Sequence, residues 1–206
     1  MPLLKKILKW VVIVLVLGYV LLVIGRVFVL NNADKTAAAV ARIHATKLTL
    51  DDVMGKSLPA AFAPASASQA YYDATVAGVD ANKNGIRDDV ELAIFKEYPV
   101  SAKTRAVLLQ YALALQMEMT QSLVNAETVT AVAEEKSRAS MCIGDIITRD
   151  DLKKFITVTN GLVDFATKTQ INNKTRDEVE KTFYKSLGSY SSLEGTCDIE
   201  LASLPN

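Results

Sequence analysis

Between Trp10 and Gly25 the chain reads WVVIVLVLGYVLLVIG without a single charged residue. Sixteen residues in helical form extend roughly 24 Å, a little under the ~30 Å of a bilayer's hydrocarbon core. The flanks make up the difference: Lys9 and Arg26 can extend their stems to the headgroups, Trp10 stands where interfacial aromatics are favoured, and VFVL continues the apolar character to Leu30. Lys5, Lys6 and Lys9 precede the run, and a basic flank stays on the cytoplasmic side. The sequence thus predicts a single-pass anchor over residues 1–32 in the inner (cytoplasmic) membrane, with the rest of the chain in the periplasm or extracellular. A cleaved signal peptide is the competing expectation, and it would release a soluble periplasmic binding module. Its core would be shorter and followed closely by small residues, whereas here RVFVLNNAD follows, and Ala39-Val40-Ala41 lies too far on. With no cysteine after the core, a lipid-modified N-terminus is not expected.

The 206 residues hold 23 basic and 23 acidic side chains. The first 32 contribute Lys5, Lys6, Lys9 and Arg26 and no acid, which leaves the remainder at 19 basic against 23 acidic. A mildly acidic domain without a basic run offers nothing to a phosphate backbone, so nucleic-acid binding is not expected. Cys142 and Cys197 are too far apart for a CxxC motif or a zinc knuckle. In an oxidising compartment they are expected to form one disulfide, closing a loop worth about 4 kcal/mol in the chain-entropy picture.

Residues 33–69 read as stalk and linker. ADKTAAAVARIHAT is alanine-rich and suits a helical stalk, KLTLDDVM alternates Leu48, Leu50 and Val53 as one brief strand would, and GKSLPAAFAPASASQ has the prolines and small residues of a linker. Residues 70–206 form the expected helical domain. Leu108, Tyr111, Leu115 and Met119 recur at helical spacing, Leu152, Phe155, Ile156, Thr159, Leu162, Val163 and Ala166 draw a second stripe, and Val179, Phe183 and Leu187 mark a last helix. Thr148 with Asp151 and Thr175 with Glu178 supply start signals, and Pro99 ends a helix ahead of Ser101. The fold class expected is mainly α: an N-terminal transmembrane helix followed by a small helical bundle.

One segment carries chemistry. Residues 80–91, D-A-N-K-N-G-I-R-D-D-V-E, place oxygen-bearing side chains at alternate positions: Asp80, Asn82, Asn84 and Asp88, with Glu91 closing the run. Calcium takes six to eight oxygens, and a tight loop can supply them from side chains at positions 1, 3, 5, 9 and 12 and from a backbone carbonyl at position 7, here Ile86. Gly85 at position 6 allows the sharp turn. The segment resembles the EF-hand calcium loop, particularly the shorter loops of dockerin-like repeats in exported bacterial proteins. The resemblance covers these twelve residues and the helix after them. It implies Ca2+ held by Asp80, Asn82, Asn84, Ile86, Asp88 and Glu91, in an affinity range of roughly 10 μM to 1 mM. The segment before the loop, SQAYYDATVAGV, is a poor entering helix, and no second loop is present to pair with. A metal-free alternative stays open, in which Asn84-Gly85 makes a turn and Asp88 with Glu91 starts a helix.

The remaining candidates read as ordinary. His44 lies in the alanine-rich stretch as a surface residue, Glu134-Glu135-Lys136 as a solvated helix face, Met117 and Met119 as core, and Tyr71 and Tyr72 as packing partners of the helix that leaves the loop. No catalytic triad, nucleophile elbow or phosphate-cradling loop is present. The functional expectation is a non-enzymatic, membrane-anchored, calcium-binding protein outside the cytoplasm that contacts another envelope protein. The alternatives are an enzyme or accessory subunit with a carboxylate site and the cleaved soluble module.

Overall fold

In the computed structural model, residues 2–59, 69–121, 123, 125–191, 193 and 195–205 are described, and every α or 3-10 element among them is helical, with no strand. The chain divides into two units, Met1–Ala41 and Arg42–Asn206. Helix α1 spans Pro2–Ala45. Within the first unit it carries an 18-residue window of mean hydropathy 2.8 with none of it buried, long and apolar enough to cross a membrane. Leu15, Leu21 and Leu22 all stand at 67–75% exposure there, the reverse of what a water-facing helix would present.

The second unit is a helical bundle: α2 (Leu50–Met54), α3 (Gln69–Tyr72), α4 (Asp88–Glu97), α5 (Ala102–Thr120), α6 (Ala126–Asp145), α7 (Leu152–Gln170) and α8 (Lys174–Lys185). At its centre lies α5, which packs against α2, α4, α6, α7 and α8. Every residue from Arg105 to Glu118 is buried, so α5 has no solvated face, and its polar side chains must find partners inside. Arg105 donates to the carbonyls of Val53, Tyr98 and Pro99, Gln110 to that of Thr196, and Gln116 to that of Ala77, while Glu118 is satisfied at one oxygen only. These bonds pin to the core several segments that have no regular structure of their own.

Local starts follow side-chain capping. Ser101, Asn125, Asp151 and Asn173 each accept from the backbone N–H three residues on. Two starts differ from expectation: Asp151 itself caps α7 in place of Thr148, and Asn173 caps α8 in place of Thr175. Asp151 and Asn173 stand immediately before the first helical residue, where a side-chain oxygen reaches the N–H three residues on, whereas Thr148 comes three residues too early and Thr175 is already inside the first turn. The brief strand over Leu48–Val53 is also corrected. Thr49 and Asp52 form a reciprocal capping box that nucleates α2, with Leu48 and Val53 buried and Leu50 49% exposed. The stripe on α7 is covered only in its second half: Leu162 and Ala166 are buried, whereas Leu152 is 65% and Ile156 48% exposed. Helical spacing fixes which side chains share a face, not how far along that face a neighbour reaches. The expected linker falls largely on residues 60–68, outside the described residues.

The disulfide forms as expected between Cys142 and Cys197, with their Cα atoms 5.0 Å apart. It holds the irregular C-terminal segment against α6.

Candidate functional site

The 80–91 segment closes on itself through its own side chains. Asp80 accepts from the Asn84 N–H at 3.2 Å and from the Gly85 N–H at 2.9 Å, one on each carboxylate oxygen. Asn84 Oδ1 accepts from the Ile86 N–H at 2.9 Å, and the Asp88 N–H donates to the Val79 carbonyl at 2.8 Å. Lys83 and Gly85 both take positive φ, 59° and 85°, and a Cβ on Gly85 would stand 2.8 Å from Leu113 Cδ1. The backbone conformation there favours glycine. Ile86 is fully buried and anchors the loop in the core.

Glu91, on the first turns of α4, reaches back to the loop. Its Oε1 accepts from Asn84 Nδ2 and its Oε2 from Asn82 Nδ2, both at 3.0 Å. The side chain is buried, and burial pushes its carboxyl up to about 7; Asp52 and Asp88 push the same way, and the two amide bonds only partly offset them. Asp88, 2% exposed, accepts from the Ala81 N–H at 2.9 Å, and burial raises its carboxyl too. So Asp80, Asn82, Asn84 and Glu91 are drawn into one hydrogen-bonded ring, while Asp88 bonds to the backbone beside it.

The neighbouring cations do not enter that ring. Arg87 is wholly buried and turned away: it pairs with Asp89 and donates to the carbonyls of Thr169 and Gln170, both at 2.9 Å. Lys83 is exposed. Two participants lie outside the segment and were invisible to a twelve-residue pattern. Asp52 Oδ1 accepts from Asn84 Nδ2 at 3.3 Å, and the Ser57 carbonyl accepts from Asn82 Nδ2 at 3.0 Å. The capping box was the available sign that Asp52 is held in place. No entering helix flanks the loop directly, since α3 stops at Tyr72. Instead, fully buried Arg176 of α8 grips the carbonyls of Tyr72, Thr75 and Val76 and pairs with Asp73, fixing the chain that leads in. Tyr72 is buried and Tyr71 44% exposed.

Among the described residues, no three His, Cys, Asp or Glu side chains are arranged to hold a metal ion by themselves. Any cation here must use the amide oxygens of Asn82 and Asn84 as well as the carboxylates.

Two further groups of charged residues correct two sequence expectations. His44 is neither isolated nor fully exposed: its Nδ1 lies 2.9 Å from Glu135 and its Nε2 3.5 Å from Glu134. Glu135 is buried and takes Lys47 and Arg138 as well, at 2.9 and 2.6 Å, while Arg138 also meets Asp198 at 2.6 Å. His44, Lys47, Glu135, Arg138 and Asp198 line a cleft of about 370 Å³ beside the disulfide. Lys136 is likewise no surface lysine. It lies 2.9 Å from buried Glu118 and 3.5 Å from Glu180. Runs of charge look solvated in a sequence because their partners lie on other elements: His44 is 91 residues from Glu135 and Lys47 88.

No protein-family model matches the chain, and neither a curated protein nor a solved structure shows significant similarity to it.

Proposed function

We propose that this is a membrane-anchored, extracytoplasmic protein that binds Ca2+ through its 80–91 loop, in a structural or interaction role. The observation that carries the reading is Glu91: a buried carboxylate whose nearest charges are other carboxylates and whose partners are only neutral amides. A buried anion without a cation is costly, and a divalent ion supplies what the chain does not. The donor set fits the ion. Exchange of amide N and O at Asn82 and Asn84 turns the two groups that face Glu91 from donors into the hard oxygen acceptors that calcium prefers. Asp80, Asn82, Asn84, Glu91 and the Ile86 carbonyl would hold the ion, with Asp88 contributing directly or through water.

A single loop clamped between α4 and the Thr49–Ser57 segment suits structural calcium better than a paired-loop switch. The long apolar helix supports single-pass anchoring in the inner membrane, with the helical unit on the periplasmic or extracellular side, where the disulfide would persist. The partner is expected to be another envelope protein. The tests are direct. Calorimetric titration of the full chain in detergent should give one saturable site at micromolar to millimolar Ca2+ that E91Q removes; no heat up to several millimolar would refute it. Membrane fractionation should leave the chain in the pellet after alkaline wash, and its release would favour the cleaved module.

A further inference from the structure

A cleft of about 300 Å³ lies between α6, Tyr111 of α5, Tyr184 of α8 and Tyr190 of the tail that follows. That volume is at the lower end of small-molecule sites and suits a single ring. Tyr111 and Ala133 are buried behind it, whereas Tyr190 at 45%, Tyr184 at 43% and Met141 at 37% exposure stand open to solvent. The side chains that a ligand would touch are therefore reachable from outside.

Two serines of α6 add hydroxyls to this wall. Ser137 and Ser140 lie one turn apart, on the same side of the helix, and both are half-buried. A hydroxyl inside a helix commonly bonds back to the carbonyl four residues before it, as those of Thr120, Thr157, Thr169 and Thr182 do here. Those of Ser137 and Ser140 do not, and like the Tyr190 hydroxyl they have no hydrogen-bond partner among the described residues. The cleft thus offers tyrosine rings beside free hydroxyls.

Charge narrows the ligand further. Lys136 is the one charged side chain that lines the cleft among the described residues. Its ammonium stands 4.9 Å from the centre of the Tyr184 ring, so the chain itself fills the place a ligand cation would take there. An anion gains little, because Glu118 at 2.9 Å and Glu180 at 3.5 Å already hold the lysine.

We propose that this cleft binds one neutral pyranose ring, as a free sugar or as the end residue of a glycan, with its C–H face against Tyr184 and Tyr190 and its hydroxyls bonded to Ser137 and Ser140. A pyranose carries both surfaces that the cleft presents: C–H groups, which the electron-rich face of a tyrosine attracts, and adjacent hydroxyls, which donate and accept as serine does. A wholly apolar ligand would cover the serines without pairing them.

The test uses the full chain in a detergent without a sugar headgroup and follows the ring resonances of Tyr184 and Tyr190 by NMR. The probes are the methyl glycosides of glucose, mannose and N-acetylglucosamine. At least one should saturate in the millimolar range, with tetrahydropyran-2-methanol, which keeps the ring and lacks its hydroxyls, at least about tenfold weaker. Glucosamine and methyl glucuronide should each bind less well than the neutral glucoside. Y190A should weaken the bound glycoside about five- to tenfold and S140A about three- to tenfold, with thermal melts to confirm that both fold. Chitotetraose separates the sources: binding like its monosaccharide admits the end of a glycan, exclusion restricts the cleft to free sugars, and either supports the site. No saturation by any glycoside up to 100 mM, equal binding of tetrahydropyran-2-methanol, or a Y190A chain that binds like the parent would each overturn the proposal. Should S140A fail to fold, Y190A and the ring without hydroxyls decide.

Discussion

Asp52 divides its carboxylate between two tasks: one oxygen caps α2 through the Thr49 N–H at 2.9 Å, and the other reaches Asn84 in the 80–91 loop at 3.3 Å. The short helix after α1 is thereby joined to the loop through a single side chain. If calcium occupies the loop, Asp52 lies close enough to add negative charge to the site, directly or through water. D52N keeps the shape and an acceptor for the cap but removes that charge. The expected outcome is a roughly three- to tenfold loss of calcium affinity, against complete loss in E91Q. Equal affinity in D52N and the parent chain would confine the site to residues 80–91.

Arg87 carries a different kind of weight. Fully buried, it donates to the last carbonyls of α7, at Thr169 and Gln170, which a helix end must otherwise leave to water. R87M preserves the stem's packing and removes the donors, and should lower unfolding free energy by about 3 kcal/mol. G78A should be comparably damaging by another route: Gly78 has φ +71°, and a Cβ there would stand 2.2 Å from Arg87 Cδ. Urea unfolding of both variants checks this, and a G78A chain as stable as the parent would show that Arg87 has room to move.

Much of the architecture was legible because helical periodicity and capping are local. The break at Pro99, the start of α4 at Asp88 and the disulfide between the only two cysteines needed no knowledge of distant contacts. The misses among the charged residues share one cause. His44 and Lys47 meet Glu135, and Lys136 meets Glu118 and Glu180, and nothing in a linear pattern says which charges will meet once α5 is enclosed. The same holds for the candidate site: the oxygen spacing of Asp80 to Glu91 is written in twelve residues, but Asp52 and the Ser57 carbonyl arrive from another element. The strand expected at Leu48–Val53 failed for a local reason instead, since the Thr49–Asp52 capping box outweighs a two-residue alternation.

The Glu135 cluster gives the fold a pH dependence whose sign can be worked out. Burial alone would raise the Glu135 carboxyl, but hydrogen bonds from Lys47, His44 and Arg138 outweigh it, and the net shift is below 4.5. A depressed acid stabilises the folded state above its unfolded pKa, and that contribution is lost as pH falls through the folded value. E135Q should therefore destabilise the protein by about 3 kcal/mol at pH 7 by leaving Arg138 and Lys47 undercompensated. The gap to the parent chain should hold down to about pH 4.5 and narrow below it. Chemical denaturation at pH 7, 5 and 3.5 measures the gap, and a constant difference across that range would assign the loss to packing.

The bridge between Cys142 and Cys197 closes a separation of 55 residues, and its removal should cost about 2–4 kcal/mol. Its local effect is more diagnostic. The bridged segment is where the core's polar side chains find partners: the Asp198 N–H donates to Gln110 at 2.8 Å, and Asp198 accepts from the Leu48 N–H at 2.9 Å. Reduction frees the segment to leave, so the Leu48 and Asp198 amides should exchange with solvent faster in the reduced protein. The Gly85 N–H, bonded to Asp80 within its own loop at 2.9 Å, should keep its protection, because no atom of that loop depends on the tail. Hydrogen exchange read residue by residue separates the cases. Unchanged protection at Leu48 and Asp198 would mean that Arg138 and Gln110 hold the tail without help from sulfur, and lost protection at Gly85 would mean that the bundle opens as one cooperative unit.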